Sequence, residues 1–254
     1  MRDWEVPMKV VAAGPEWMDR AAEIADHLGT RLITNIDEIE GEEQYLRQDE
    51  YGLALVMGQM ELRGDFRQML PRITGGHLQH EKLLRAVRFK EEITDPVAVD
   101  ATAGLGEDSF ILAAGGFSVI LCEYNPVIAA LLRDALERAQ ADPDIGEFAR
   151  RMELREGNSV EILAKLDCRP DIIYLDPMFP AKKKSGISTK KLQLFQKLET
   201  PCADEKALLD AAYAAVPRRI VVKRPVKGGP LAGRKAGYSI DCRNVRYDCY
   251  AVRA

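Results

Sequence analysis

The chain has 254 residues, 46% of them apolar and 30% charged, with a net charge of −4. That is the composition of an ordinary globular protein, long enough for one large domain or a domain with a small companion. No apolar run approaches a membrane span and the first residues lack the apolar core of a signal peptide, so a cytoplasmic protein is expected.

Residues 1–75 read as a small N-terminal α/β unit. Residues 9–13, 31–34 and 53–57 have the short apolar runs of strands, and residues 18–28 have helical spacing that stops before Gly29. The acidic stretch 36–48 reads as loop or helix surface, and nothing in this unit carries a catalytic signature. Gly75-Gly76 breaks the chain before a basic helical segment over 80–90.

From there residues 76–254 alternate strand and helix as a doubly wound α/β domain does. Strands are expected over 97–99, 119–122, 152–154, 172–175 and 219–223, and helices over 107–114, 126–139, 159–166, 190–198 and 205–215. Asn125 is the expected N-cap of the helix that Pro126 opens. The tail over 238–252 alternates as a closing hairpin would.

Five scattered cysteines without a Cys-x-x-Cys pair read as reduced thiols, and His77 and His80 lack a third ligand, so no metal is expected. Residues 177–254 hold 17 Lys and Arg against 6 Asp and Glu, whereas residues 1–176 hold 19 against 34. A basic last third fits one polyanion-facing surface.

Asp100 ends the first strand of the larger unit, and a turn containing Gly104 and Gly106 leads into a helix that starts with Glu107 and Asp108. Such a turn serves several nucleotide cofactors. Ser109 replaces the third glycine of a dinucleotide fingerprint, and the cluster of acids would repel a pyrophosphate. S-adenosylmethionine, with an amine and a sulfonium, suits it better. Glu123, at the end of the next strand, stands where an acid commonly holds a ribose diol. Tyr124 beside it is expected to pack on adenine, and Asn158-Ser159 to bond the adenine amine.

The fourth strand runs straight into Asp176-Pro177-Met178-Phe179-Pro180. The Asp176 carboxylate and the Pro177 carbonyl provide two acceptors for the hydrogens of an exocyclic amine, and Phe179 a face for its base. Lys182, Lys183 and Lys184 follow at once, and Lys223-Arg224 lie on the fifth strand. These cations are expected to neutralise phosphates around the target base.

These residues resemble the bacterial small-subunit (16S) ribosomal RNA (guanine-N2)-methyltransferase J family along the whole chain. The resemblance is carried by residues 100–106, Glu123 with Asn125-Pro126-Val127, residues 174–180 and residues 221–225. It implies a Rossmann-like class I methyltransferase fold, S-adenosylmethionine as donor and a guanosine of 16S rRNA, free or in the small ribosomal subunit, as acceptor. It also implies that Glu107, Asp108, Glu123, Tyr124, Asn158, Ser159 and Asp176 line the cofactor pocket. The family tends to carry arginine where Glu107 and Tyr124 stand here, and its stretch before the first strand is more basic than residues 70–80. An amine methyltransferase for another RNA or DNA base, and a non-catalytic RNA-binding module of the same fold, are the alternatives.

Overall fold

The computed structural model describes residues 8–177 and 204–252. The expectations for Phe179, for Lys182, Lys183 and Lys184, and for a helix over 190–198 lie outside them.

The first sheet contains β1 (Lys9–Ala12), β2 (Leu32–Ile33), β3 (Gln44–Asp49), β4 (Gly52–Met57) and β5 (Met60–Leu62), in the order β2-β1-β3-β4-β5. β1 runs parallel to β2 and β3, whereas β4 is antiparallel to both of its neighbours. Helix α1 (Met18–Leu28) connects β1 to β2 and ends on Gly29 at φ 63°, as its sequence spacing predicts. The expected loop or helix surface over 36–48 holds as far as residue 43, with a 3-10 turn over Ile36–Glu38, and β3 corrects it from Gln44 onward. The strand lies between β1 and β4, with Leu46 packed in one hydrophobic cluster and Tyr45 in another. A strand covered on both faces loses the alternation that would reveal it. Its charges are satisfied sideways, with Asp49 accepting from Arg47 at 3.0 Å and from Arg63 at 2.8 Å.

The second sheet has seven strands: β6 (Val97–Asp100), β7 (Ser118–Glu123), β8 (Met152–Glu156), β9 (Ile172–Leu175), β10 (Arg219–Pro225), β11 (Tyr238–Asp241) and β12 (Val245–Ala251). Their order is β11-β12-β10-β9-β6-β7-β8. β6 to β10 are mutually parallel, and the expected closing hairpin inserts β12 antiparallel between β10 and β11.

Side chains of this sheet alternate between two cores. Ala98, Ile172, Tyr174 and Val221 face the core built with α3 (Lys82–Val87), α4 (Glu107–Ala114) and α5 (Pro126–Ala141). Val99, Ile173, Leu175 and Val222 face the core built with α7 (Ser159–Ala164) and α8 (Glu205–Ala214). Among the described residues the remaining α-helices are the single turns α2 (Leu70–Ile73) and α6 (Gly146–Ala149). Burial on both faces explains the unbroken apolar run of β9, each such side chain contributing roughly 1.5–3 kcal/mol.

α3 is shorter than the 80–90 span that its sequence suggests. Arg219 donates to the Ala86 and Arg88 carbonyls at 2.7 and 3.0 Å and lies over the Phe89 ring, so the last turn is closed by a distant strand. α5 is apolar nearly all round because both sheets use it. Leu132, Ala135 and Leu136 join the core of the large sheet, and Val127, Ile128 and Leu131 join the cluster formed by β1, α1 and β4. Among the described residues no helix is long and apolar enough to cross a membrane.

Candidate active site

The chain leaves β6, builds β7 and β8 on one side, then returns to add β9 on the other. Loops therefore diverge at the carboxyl ends of β6 and β9, the place where open α/β sheets bind ligands.

Asp100 closes β6 and is 1% exposed. Its Oδ1 accepts the Thr102 N–H at 3.1 Å and its Oδ2 accepts the Ser109 hydroxyl at 2.5 Å. Ser109 thus occupies the third-glycine position for a reason: it anchors the carboxyl that shapes the turn. Burial pushes Asp100 up to about 7. The turn itself needs its glycines. Gly106 sits at φ 77°, and a Cβ there would meet Leu132 Cδ1 at 2.9 Å and Phe66 Cζ at 3.1 Å.

Glu123 ties this turn to the next strand. Its Oε2 accepts the Gly104 N–H at 2.9 Å and its Oε1 the Asn125 N–H at 2.8 Å. Burial pushes Glu123 up to about 7, against the pull of those N–H groups. Asn125 Oδ1 in turn caps α5 through the Val127 and Ile128 N–H groups. Tyr124 is exposed beside Glu123, and Glu107 is exposed at the start of α4. Asn158 caps α7 by accepting the Val160 N–H at 2.9 Å, with Ser159 as the first helical residue.

Asp176 follows β9, and its backbone N–H donates to Thr102 Oγ1 at 2.6 Å. The turn after β6 and the acidic motif after β9 are therefore stitched together. The Asp176 carboxylate is half-buried, and its Oδ2 lies 2.9 Å from Lys223 Nζ. Lys223 also donates to Asp108 Oδ2 at 2.7 Å, as does the buried Tyr174 hydroxyl at 2.7 Å. Burial alone would lower Lys223, but the Asp108 and Asp176 charges more than offset it and hold the ammonium above its usual value. Burial likewise would raise Asp108, and Lys223 and Tyr174 bring it below the usual carboxylate range. Asp176 stays raised, because burial outweighs the help of Lys223.

Two sequence expectations change here. Lys223 does not stand as a phosphate-facing surface cation; it is enclosed between two carboxylates of the site. Arg224, only 6% exposed, donates to the Gly229 carbonyl at 2.8 Å and pairs with Glu205 at the start of α8. A guanidinium so enclosed has no face for a phosphate. Conversely, Thr102 and the Tyr174 hydroxyl were not singled out from sequence. Tyr174 did carry a signal, since a phenol inside a fully buried strand requires a partner for its O–H.

The donor set fits S-adenosylmethionine. Glu123, Asp108 and Asp176 lie at one sheet edge, where among the described residues Lys223 is the lysine paired with the last two, an arrangement that favours an amine and a sulfonium over a pyrophosphate. Among the described residues no group of three or more His, Cys, Asp or Glu is arranged to hold a metal. Fold and site are those of a class I S-adenosylmethionine-dependent methyltransferase, and a family model for SAM-dependent methyltransferases matches residues 36–252. The crystal structure of a SAM-dependent methyltransferase from Neisseria gonorrhoeae superposes with a TM-score of 0.74 at 28% identity, covering 96% of each chain. Ribosomal RNA small subunit methyltransferase J of Tolumonas auensis is 39% identical over 97% of this chain and 98% of its own length. The protein of the same name from Thioalkalivibrio sulfidiphilus is 40% identical over 94% and 96%. The chain belongs to the ribosomal RNA small subunit methyltransferase J family.

Proposed function

We propose that this protein methylates the exocyclic N2 amine of a guanosine in 16S rRNA, acting in the cytoplasm on the RNA or on the small ribosomal subunit. The observation that carries this reading is Asp176 at the end of β9, whose backbone N–H ties the acceptor motif to the cofactor turn through Thr102. The relatives' shared name supports rRNA as the substrate.

An arylamine is a weak nucleophile because its lone pair is delocalised into the ring. Asp176 and the Pro177 carbonyl accept its two hydrogens, favouring a pyramidal nitrogen with its lone pair exposed. Phe179 stacks on the splayed base, and Lys182, Lys183 and Lys184 contact its flanking phosphates. Bound at this edge, S-adenosylmethionine would supply a sulfonium methyl, the N–C bond forming as the S–C bond breaks, with sulfur keeping the electron pair and nitrogen shedding one proton. Asp176 takes that proton late, when methylation has acidified the amine, and releases it to water. Gly104 and Gly106 give the cofactor backbone to lie on, Glu123 meets its ribose, Tyr124 its adenine face and Asn158-Ser159 its adenine amine. Residues 1–75 act as a supporting subdomain for the catalytic one.

Labelled-methyl transfer to naked 16S rRNA, assembled small subunits and DNA tests the reading. Transfer to rRNA that is lost in Asp176→Ala, with S-adenosylhomocysteine and RNA binding retained, is the expected result. Transfer confined to DNA, or full activity in Asp176→Ala, overturns it.

A further inference from the structure

We propose that Lys223 is a positioning residue for Asp176, and that Asp108 and Tyr174 exist to hold Lys223 in place. Three elements converge on it: β10 supplies Lys223, α4 supplies Asp108 and β9 supplies Tyr174 and leads to Asp176. Lys223 Nζ lies 2.7 Å from one carboxylate and 2.9 Å from the other, so a single ammonium bridges the start of α4 and the acceptor motif. The Tyr174 hydroxyl completes Asp108 from below at 2.7 Å. Among the described residues, the bond that ties Asp176 to the framework is made by its backbone N–H to Thr102, and its carboxylate is met by Lys223. An ammonium fixed on Asp108 selects one orientation of that carboxylate and favours its ionised form against burial. The carboxylate is then a hydrogen-bond acceptor of tempered basicity, which suits an amine whose proton leaves only after the methyl arrives.

Other charges face this group. Asp100 repels Asp176 from β6 and Arg224 attracts it from β10. Arg72 on α2 attracts Asp108, and the Tyr247 phenol on β12 stands beside both Asp108 and Lys223. None of them makes the short bridge that Lys223 makes. Removing the two network charges therefore has opposite consequences for Asp176. Without Lys223 the carboxylate loses its attraction and takes up a proton at higher pH. Without the Asp108 charge it loses a repulsion and holds its ionised form to lower pH.

Lys223 affects turnover through Asp176 and so rests on Asp176 accepting the amine as proposed above; the test separates the two. Lys223→Met, Lys223→Arg, Asp108→Asn and Asp176→Asn are assayed for methyl transfer to small-subunit rRNA across pH. S-adenosylhomocysteine affinity is measured in parallel, and the Asp176 carboxyl is titrated by carbon NMR in cofactor-free protein. Lys223→Met is expected to lower kcat about 100-fold, the scale of a misplaced reacting group, with KM and S-adenosylhomocysteine affinity within about threefold of the parent. Its acid limb and its Asp176 titration move to higher pH, whereas those of Asp108→Asn move to lower pH. Lys223→Arg keeps the charge and restores the pH position. Lys223→Gln replaces the methionine variant if that chain does not fold. An unchanged kcat and acid limb in the Lys223 variant, or shifts of the same sign in both network variants, overturns the role of Lys223. Full activity in Asp176→Asn overturns instead the assignment of Asp176 as amine acceptor.

Discussion

Thr102 Oγ1 accepts the Asp176 backbone N–H at 2.6 Å, joining the loop that follows β6 to the motif that follows β9. This bond fixes the spacing between cofactor turn and amine acceptor. Thr102→Val keeps the shape but leaves the Asp176 N–H without its acceptor. It is expected to cost about 1–3 kcal/mol of stability and to lower kcat by roughly 10- to 100-fold. Thr102→Ser retains the hydroxyl and most of the activity. Urea unfolding and methyl-transfer rates on the two variants check both statements.

Glu123 and Asp100 make stability fall as pH rises. Burial places both near 7 in the folded chain, from ordinary values of 4.5 and 3.8. Between those limits the folded chain holds protons that the unfolded chain has released. Their contribution is thus fully present below the unfolded values and is lost as pH passes through about 7. Asp108 moves the opposite way, but its loss falls below its ordinary 3.8 and lies outside this window. The cofactor-free protein is expected to lose on the order of 2–3 kcal/mol per group between about pH 5 and pH 8. Glu123→Gln should flatten that slope, which urea titrations across the range measure.

The large sheet is legible in the sequence because its parallel strands are apolar on both faces and its turns carry their own markers, such as Gly104, Asn125 and Asn158. β3 is not, because its charged residues Arg47 and Asp49 gain partners across the folded sheet, in Glu61 and Arg63, that the local sequence does not show. The site divides in the same way. Acids at strand ends can be placed from strand boundaries alone, so Asp100, Glu123 and Asp176 fall where expected. Lys223 and Arg224 could not be told apart, since neighbours on a strand point to opposite faces and charge does not say which face holds the carboxylates. Asn158 belongs to the legible part, since its cap on α7 is visible in sequence and structure alike.

Gly106 combines a left-handed backbone with a close approach, so Gly106→Ala meets two costs. At φ 77° a side chain is strained by about 1–2 kcal/mol. Its Cβ would also press on Leu132 and Phe66 at 2.9 and 3.1 Å. A total loss of about 2–3 kcal/mol is expected, with weakened S-adenosylhomocysteine binding because the turn must shift. Gly116→Ala is the control. Its φ of 101° also favours glycine, yet a Cβ there meets nothing within 4 Å. It should lose only the backbone part and keep its affinity for S-adenosylhomocysteine, as unfolding and calorimetric titrations will show.

Leu55 tests how far the first sheet supports the site. It is fully buried in the cluster that joins β4 to Val127, Ile128 and Leu131 of α5. Leu55→Ala leaves a cavity on that face and is expected to cost about 2–5 kcal/mol. Because α5 also packs into the core of the large sheet through Leu132 and Leu136, the two sheets should lose structure together. Calorimetry is expected to show one transition at a lower Tm; two separated transitions would mean that residues 1–75 unfold as an independent unit. The cavity also loosens the start of α5, whose cap Asn125 donates its backbone N–H to Glu123. Leu55→Ala should therefore weaken S-adenosylhomocysteine binding well below its unfolding temperature, although Leu55 belongs to the first sheet.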